Sequence, residues 1–253
     1  MNEKTALRTK EDFMGTIVQE PHYTAGIPVG IIGVDLVYPK LPGNVVNAST
    51  YDFPVLYKKV RFEIEALFRG DPRIREQILE AARELEAEGV RAIVGACGFF
   101  AHFQKDVKEA VNVPVYLSSL CQLPMIKTGL KEDEKVAVIA ASGESITEKL
   151  LAQAGGRMED IIIFDVGEWE SFAPIRRGRH VLDNGKLTED LSDLAKRIRK
   201  EYPMIRAILL ECSDLPPYAW AVQETSGLPV YDFITLIRWV KNAVVQKPYY
   251  GIF

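Results

Sequence analysis

The chain has 253 residues, 47% of them hydrophobic, enough to bury the core of one large α/β domain or two half-size ones. Its net charge of −4 argues against a dedicated nucleic-acid surface, and no long like-charge arm is present, so a small molecule is the expected partner. No run of about 20 apolar residues offers a membrane span, residues 1–10 lack the apolar stretch of a secretory signal, and three widely spaced cysteines suit reduced thiols better than a disulfide framework. A cytoplasmic protein is expected.

In chain order, a buried strand is expected over residues 29–34, with Asp35 at its carboxyl end. Residues 38–54, which include Asn44, are polar and rich in proline and glycine, and read as an ordered loop near the same edge. Asp71-Pro72 supplies an N-cap followed by proline at the first helical position. The run 73–88 carries apolar residues at helical spacing, and Gly89 closes it. A short buried strand over 90–96 then delivers Cys97 at its end, followed by a helix over 99–111 and a strand over 113–117. The second half begins with a strand over 136–140 and the turn Ala140-Ala141-Ser142-Gly143. After a basic loop, Arg176-Arg177-Gly178-Arg179-His180, the pattern predicts a helix over 188–201, a strand over 205–211, Cys212, a helix over 217–225 and a strand over 228–231. Residues 235–245 read as a last helix that crosses back onto the first half.

The two halves match at a constant offset of 115 residues. Arg91-Ala92-Ile93, Cys97 and Pro114-Val115-Tyr116 recur as Arg206-Ala207-Ile208, Cys212 and Pro229-Val230-Tyr231, with Glu109 against Glu224 as helix-face residues of the common frame. Strands alternating with helices imply parallel pairing through right-handed crossovers, with ligands beyond the carboxyl ends of the strands. The expected fold is therefore α/β, with two pseudo-symmetric lobes, each a mainly parallel sheet flanked by helices, and an active site in the cleft between them. The first lobe would take residues 1–117 plus a C-terminal helix over about 232–253, and the second residues 118–231.

A cysteine at a strand end before a helix has backbone N–H groups and a positive dipole end nearby, which favours thiolate. A thiolate and a thiol on opposite faces of a carbon acid can remove a proton from one face and return one to the other, while N–H donors near Gly98 and Ser213 hold the developing enediolate. Cys121 has no counterpart, its offset partner being Leu236, and reads as a packing residue. Phe99, Phe100 and Phe103 lie at helical spacing, with Phe99 also a candidate for the pocket wall. Gly30 and Gly33 do not make a dinucleotide fingerprint, and three scattered histidines without a Cys-x-x-Cys make no metal cluster, so neither cofactor nor metal is expected.

Ala96-Cys97, Glu211-Cys212-Ser213, the strand-then-Ala140-Ala141-Ser142-Gly143 turn and the duplicated frame together resemble the aspartate/glutamate racemase superfamily, which includes hydantoin racemases, maleate isomerases and arylmalonate decarboxylases. The resemblance spans almost the whole chain. It implies two α/β lobes, cofactor-independent chemistry, often a homodimer, and Cys97 and Cys212 as paired acid and base. It also implies substrate contacts from Asp35, Ser142, Gly143 and Ser213, and Asn44, Gly98, Phe99 and Asp214 complete the expected substrate site. Two departures stand out: Gly98-Phe99-Phe100 replaces the Asn-Thr that follows the first cysteine of many racemases, and Asp214 stands where glutamate racemases carry histidine. With both thiols retained, the expected activity is a cofactor-independent racemase or epimerase acting on a small carboxylate-bearing molecule. The alternatives are a maleate-isomerase-like reaction through a covalent cysteine adduct and a non-catalytic binding protein.

Overall fold

Two four-stranded parallel sheets organise residues 22–247, the part of the chain that the computed structural model describes. The first contains β1 (Val29–Val34), β2 (Val55–Val60), β3 (Ala92–Gly95) and β4 (Val115–Tyr116) in the order β2-β1-β3-β4. The second contains β5 (Lys135–Ala140), β6 (Ile161–Asp165), β7 (Ile205–Leu210) and β8 (Val230–Tyr231) in the order β6-β5-β7-β8. Each pairing is parallel, and the identical order is the structural form of the repeat seen in the sequence. The central strands β1, β3, β5 and β7 are near-continuous apolar runs, as burial on both faces demands. β2 was not expected from the sequence. It is an edge strand carrying Lys58 and Lys59, a composition that blunts an open edge and hides the strand pattern.

Between β2 and β3 lie α1 (Ile64–Phe68) and α2 (Arg75–Ala87). The Asp71 side chain accepts from the Arg73 N–H, and the short 3-10 turn Pro72–Ile74 leads into α2, so the predicted Asp-Pro start holds. Ile78, Leu79, Ala82 and Leu85 bury one face of α2 against the sheet. Gly30 admits that helix, because a Cβ there would stand 2.9 Å from a Leu85 methyl. The expected helix over 99–111 is instead a 3-10 turn, Gly98–Phe103, followed by α3 (Gln104–Ala110). The tighter turn brings Phe99, Phe100 and Phe103 inward together.

After β4 come α4 (Leu123–Thr128), then α5 (Glu148–Gln153) after β5, and α6 (Ala173–Arg176) and α7 (Asn184–Glu201) after β6. Asp183 caps α7 by accepting from the Lys186 N–H, and Leu187, Leu191, Leu194 and Ile198 form its buried stripe. The prolines at 216 and 217 hold a 3-10 turn ahead of α8 (Ala219–Ser226). The last helix, α9 (Phe233–Val244), starts with a capping box between Asp232 and Thr235. Its buried face, Phe233, Ile237 and Val240, joins Val29, Ile31, Ala92 and Val94 in one cluster on the first sheet. The parts of the sequence-based assignments that fall on residues 1–21 and 248–253 lie outside the described residues.

Candidate active site

Cys97 and Cys212 stand just past the carboxyl ends of β3 and β7, 8% and 5% exposed, and both line one narrow cavity of about 50 Å³. Ala141 contributes from the end of β5, Tyr38 and Lys40 from the loop after β1, Phe68 from α1, and Phe172 and Arg176 from α6 and its approach. The two cysteine turns are tied together: the Ser213 hydroxyl donates to the Ala96 carbonyl at 2.9 Å, and the Val45 N–H donates to the Ser213 carbonyl at 3.3 Å. Ser119 donates to the carbonyls of Leu210 and Glu211, both at 3.1 Å, from behind the second turn.

Asp214 is the polar hub. Its carboxylate accepts from the Cys212 thiol at 3.4 Å, from the Asn44 amide at 2.5 Å and from the Tyr38 hydroxyl. Burial pushes the Asp214 carboxyl up, and the three donors pull it back toward the ionised form. Lys40 lies over the Tyr38 ring at 3.8 Å, and burial lowers its ammonium, an effect that Asp214 and Asp35 oppose. Arg176 lies over the Phe68 ring at 5.6 Å and pairs with Glu168.

The expectation that strand-end placement favours thiolate is opposed by the burial of both cysteines. Burial, first among the causes, pushes both thiols well above their ordinary range, and the negative charges of Glu211 and Asp214 push them further. The backbone N–H of Phe99 lowers Cys97 and that of Asp214 lowers Cys212, but these donors are the smaller effect.

The other sequence candidates separate into two groups. Asn44, Ser213 and Asp214 gather with the thiols, Asn44 and Asp214 through their shared hydrogen bond and Ser213 as cavity lining. Asp35 turns away: it is exposed and ion-paired with Lys59 at 3.0 Å and Arg61 at 2.9 Å, the two cations that also lower its carboxyl. Phe99 is fully buried against Phe68, with ring centroids 4.4 Å apart. Ser142 bonds to Ser145 at 2.8 Å, and the Gly143 N–H is taken by the Asp165 carboxylate at 2.6 Å, so this turn has no free backbone donor at that position for a substrate carboxylate. Gly98 faces Glu211 and does not line the cavity.

Tyr38, Lys40 and Phe68 were not singled out in the sequence, and Arg176 stood only as the first residue of the basic loop, read as solvated by default with a carboxylate or a partner subunit as its alternative ligand. Only the fold shows that these segments meet. Cys121 is a packing residue, its thiol 3.7 Å from Gln104 Oε1. His102 bonds to the Phe68 carbonyl at 3.2 Å. Among the described residues no cluster of three or more metal-ligating side chains forms, and no helix is long and apolar enough to cross a membrane. A wider groove of about 980 Å³ runs beside α7, away from the thiols, where charged residues such as Lys186 and Asp190 satisfy one another at 2.9 Å.

No family model matches the chain. Over 233 residues it is 32% identical to a dimethylsulfoniopropionate lyase of Durusdinium sp. clade D, a match covering 88% of this chain and 77% of that protein. The chain belongs to the dimethylsulfoniopropionate lyase family. It is also 32% identical over 248 residues to dimethylsulfoniopropionate lyase 5 of Emiliania huxleyi (strain CCMP1516), covering 93% of this chain but only 49% of that longer protein. Among solved structures, an aspartate racemase homologue from Pyrococcus horikoshii OT3 matches with a TM-score of 0.55 and 18% identity, covering 86% of this chain and 98% of the other. An unliganded arylmalonate decarboxylase matches with a TM-score of 0.52 and 19% identity, covering 86% and 92%. The fold expected from the resemblance to the racemase superfamily is therefore present.

The racemase or epimerase activity expected from the thiol pair is overturned by these relatives, which are named lyases. That expectation read two thiols as a requirement for inversion. A lyase needs one base on one face of the substrate and a leaving group on the neighbouring carbon, so the second thiol does not dictate the reaction.

Proposed function

We propose that the protein is a lyase that eliminates dimethyl sulfide from dimethylsulfoniopropionate, with Cys212 as the base. The observation that carries this reading is the buried Asp214 carboxylate, which lines one narrow cavity with Cys97 and Cys212 and accepts from the Cys212 thiol. A buried carboxylate beside apolar walls favours a ligand that brings positive charge. A sulfonium does so, and its methyl groups suit Phe68 and Phe172. The carboxylate at the other end of the molecule finds cations in Lys40 and Arg176.

In the resting site Cys212 is a thiol donating to the Asp214 carboxylate. Entry of the sulfonium stabilises negative charge, and the Cys212 proton passes to Asp214. The thiolate then removes a proton from the carbon next to the carboxylate, where Lys40 and Arg176 offset the charge that develops. The electron pair forms the double bond as the bond from the neighbouring carbon to sulfur breaks. Dimethyl sulfide leaves with the sulfur electrons and acrylate remains. Cys212 is again a thiol, and Asp214 releases its proton to solvent, the one proton that the net reaction produces.

The test is headspace gas chromatography of dimethyl sulfide, with proton NMR of acrylate, from purified protein and dimethylsulfoniopropionate. Equal yields of the two products, lost in Cys212→Ala, are expected. Dimethyl sulfide at the buffer-blank rate from the folded parent protein overturns the reading.

A further inference from the structure

Glu211 lies between β7 and Cys212, and nothing in the elimination above uses it. Its carboxyl group is fully buried. Oε2 accepts from the Ala141 N–H at 3.3 Å, and Oε1 has no hydrogen-bond partner among the described residues. Oε1 occupies the space beside Gly98 so closely that a Cβ at position 98 would sit 1.9 Å from it. The carboxyl group is thus wedged under both cysteine turns, with Gly98 as its cradle.

The titratable groups facing it are Cys97 from the turn after β3, Cys212 and Asp214 from the turn after β7, and Asp165 from the end of β6. All of them are acids. With one backbone donor and no cation, an ionised carboxylate in this position would stand unsolvated against other negative charge, whereas the neutral acid is tolerated. Burial accordingly holds the group up at about 8. Ionised Glu211 would in turn disfavour both thiolates.

We propose that Glu211 is a positioning residue that serves as a neutral acid beneath the thiol pair, leaving the negative charge of the working site to a cysteine, and that its ionisation withdraws that charge. Glu211 touches no reacting atom. Through the thiols it sets an alkaline limit on activity, opposite in sign to the rise with pH that a lone thiol base gives. The inference rests on the lyase reading only in taking a thiolate as the base, and its test needs no substrate.

The experiment follows thiolate formation by ultraviolet absorbance and by site-resolved alkylation with iodoacetamide across pH, in the parent and in Glu211→Gln. In parallel, the Glu211 carboxyl carbon of the parent is titrated by ¹³C NMR. Glu211→Gln is expected to give about tenfold more thiolate at a given alkaline pH, with the parent carboxyl carbon still protonated at neutrality. Unchanged thiol titration in a folded Glu211→Gln, or a parent carboxyl that titrates in the ordinary glutamate range, overturns the proposal. Should the variant not fold, the NMR titration of the parent decides alone. Failure to release dimethyl sulfide, with both titrations as expected, would sink the substrate and leave the role of Glu211 standing.

Discussion

The turn after β3 and the turn after β7 occupy the same place in a duplicated fold and have been given opposite chemistry. Cys97 is followed by Gly98 and by Phe99 and Phe100, both fully buried, so the first turn offers its thiol no side-chain acceptor within itself. Cys212 is followed by Ser213, which bonds across to Ala96, and by Asp214, which accepts the thiol proton and two further donors. Duplication fixes where a thiol stands, while the two residues after it fix what the thiol can do. In the proposed lyase this asymmetry favours Cys212 as the base, with Cys97 lining the same cavity.

Removing each thiol is the harshest way to break this comparison. Cys212→Ala is expected to lower the kcat for dimethyl sulfide release by about 10²–10⁴, the usual contribution of a general base. Cys97→Ala is expected to lose less, because its thiol has no acceptor in its own turn. Equal losses in the two variants, measured side by side, would show that the site works as a symmetric pair. Asp214→Asn comes next, with a drop of about tenfold to a hundredfold in kcat/KM, since the amide neither takes the Cys212 proton nor attracts the sulfonium.

The fold was largely legible from the sequence because the central strands are near-continuous apolar runs and helix starts carry local signals, as at Asp71-Pro72. The edge strand β2 was not, since Lys58 and Lys59 interrupt its apolar pattern. The thiols and Asp214 could be found because their signal is local. Tyr38 and Lys40, Phe68, and Arg176 come from three separate stretches of the chain, and only tertiary packing brings them to the cysteines. Asp35 and Gly143 misled for the same reason: a strand-end position does not reveal that Lys59 and Arg61 claim the first and Asp165 the second.

Position 98 against position 213 sharpens the comparison through stability. Ser213 carries a side chain without strain, while Gly98→Ala drives a Cβ into the Glu211 carboxyl group. A cost of about 1–3 kcal/mol, read as a lower Tm, is expected from such overpacking, whereas Ser213→Ala loses one hydrogen bond of about 1 kcal/mol. The two effects should reverse if Glu211 swings clear. Glu211 also contributes to the pH dependence of the fold. Its folded pKa is raised to about 8, so the native state holds a proton that the unfolded chain has lost, and stability is greatest below the ordinary glutamate range and falls as pH rises toward 8. Glu211→Gln should flatten that decline in Tm between about pH 5 and pH 8.

The smallest effect concerns the thiol outside the pair. Cys121 follows β4, and its partner at the 115-residue offset is Leu236, an apolar residue in α9. Its sulfur lies 3.7 Å from Gln104 Oε1, but that amide is already engaged at both ends, accepting from the Leu117 N–H at 2.8 Å and donating to the Val115 carbonyl at 2.8 Å. Burial raises the Cys121 thiol to about 11, which keeps it neutral and unreactive near neutral pH. Cys121→Ala should therefore cost about 1 kcal/mol or less and leave kcat within twofold of the parent. A larger loss of turnover would mean that the working thiols are not confined to the two duplicated turns.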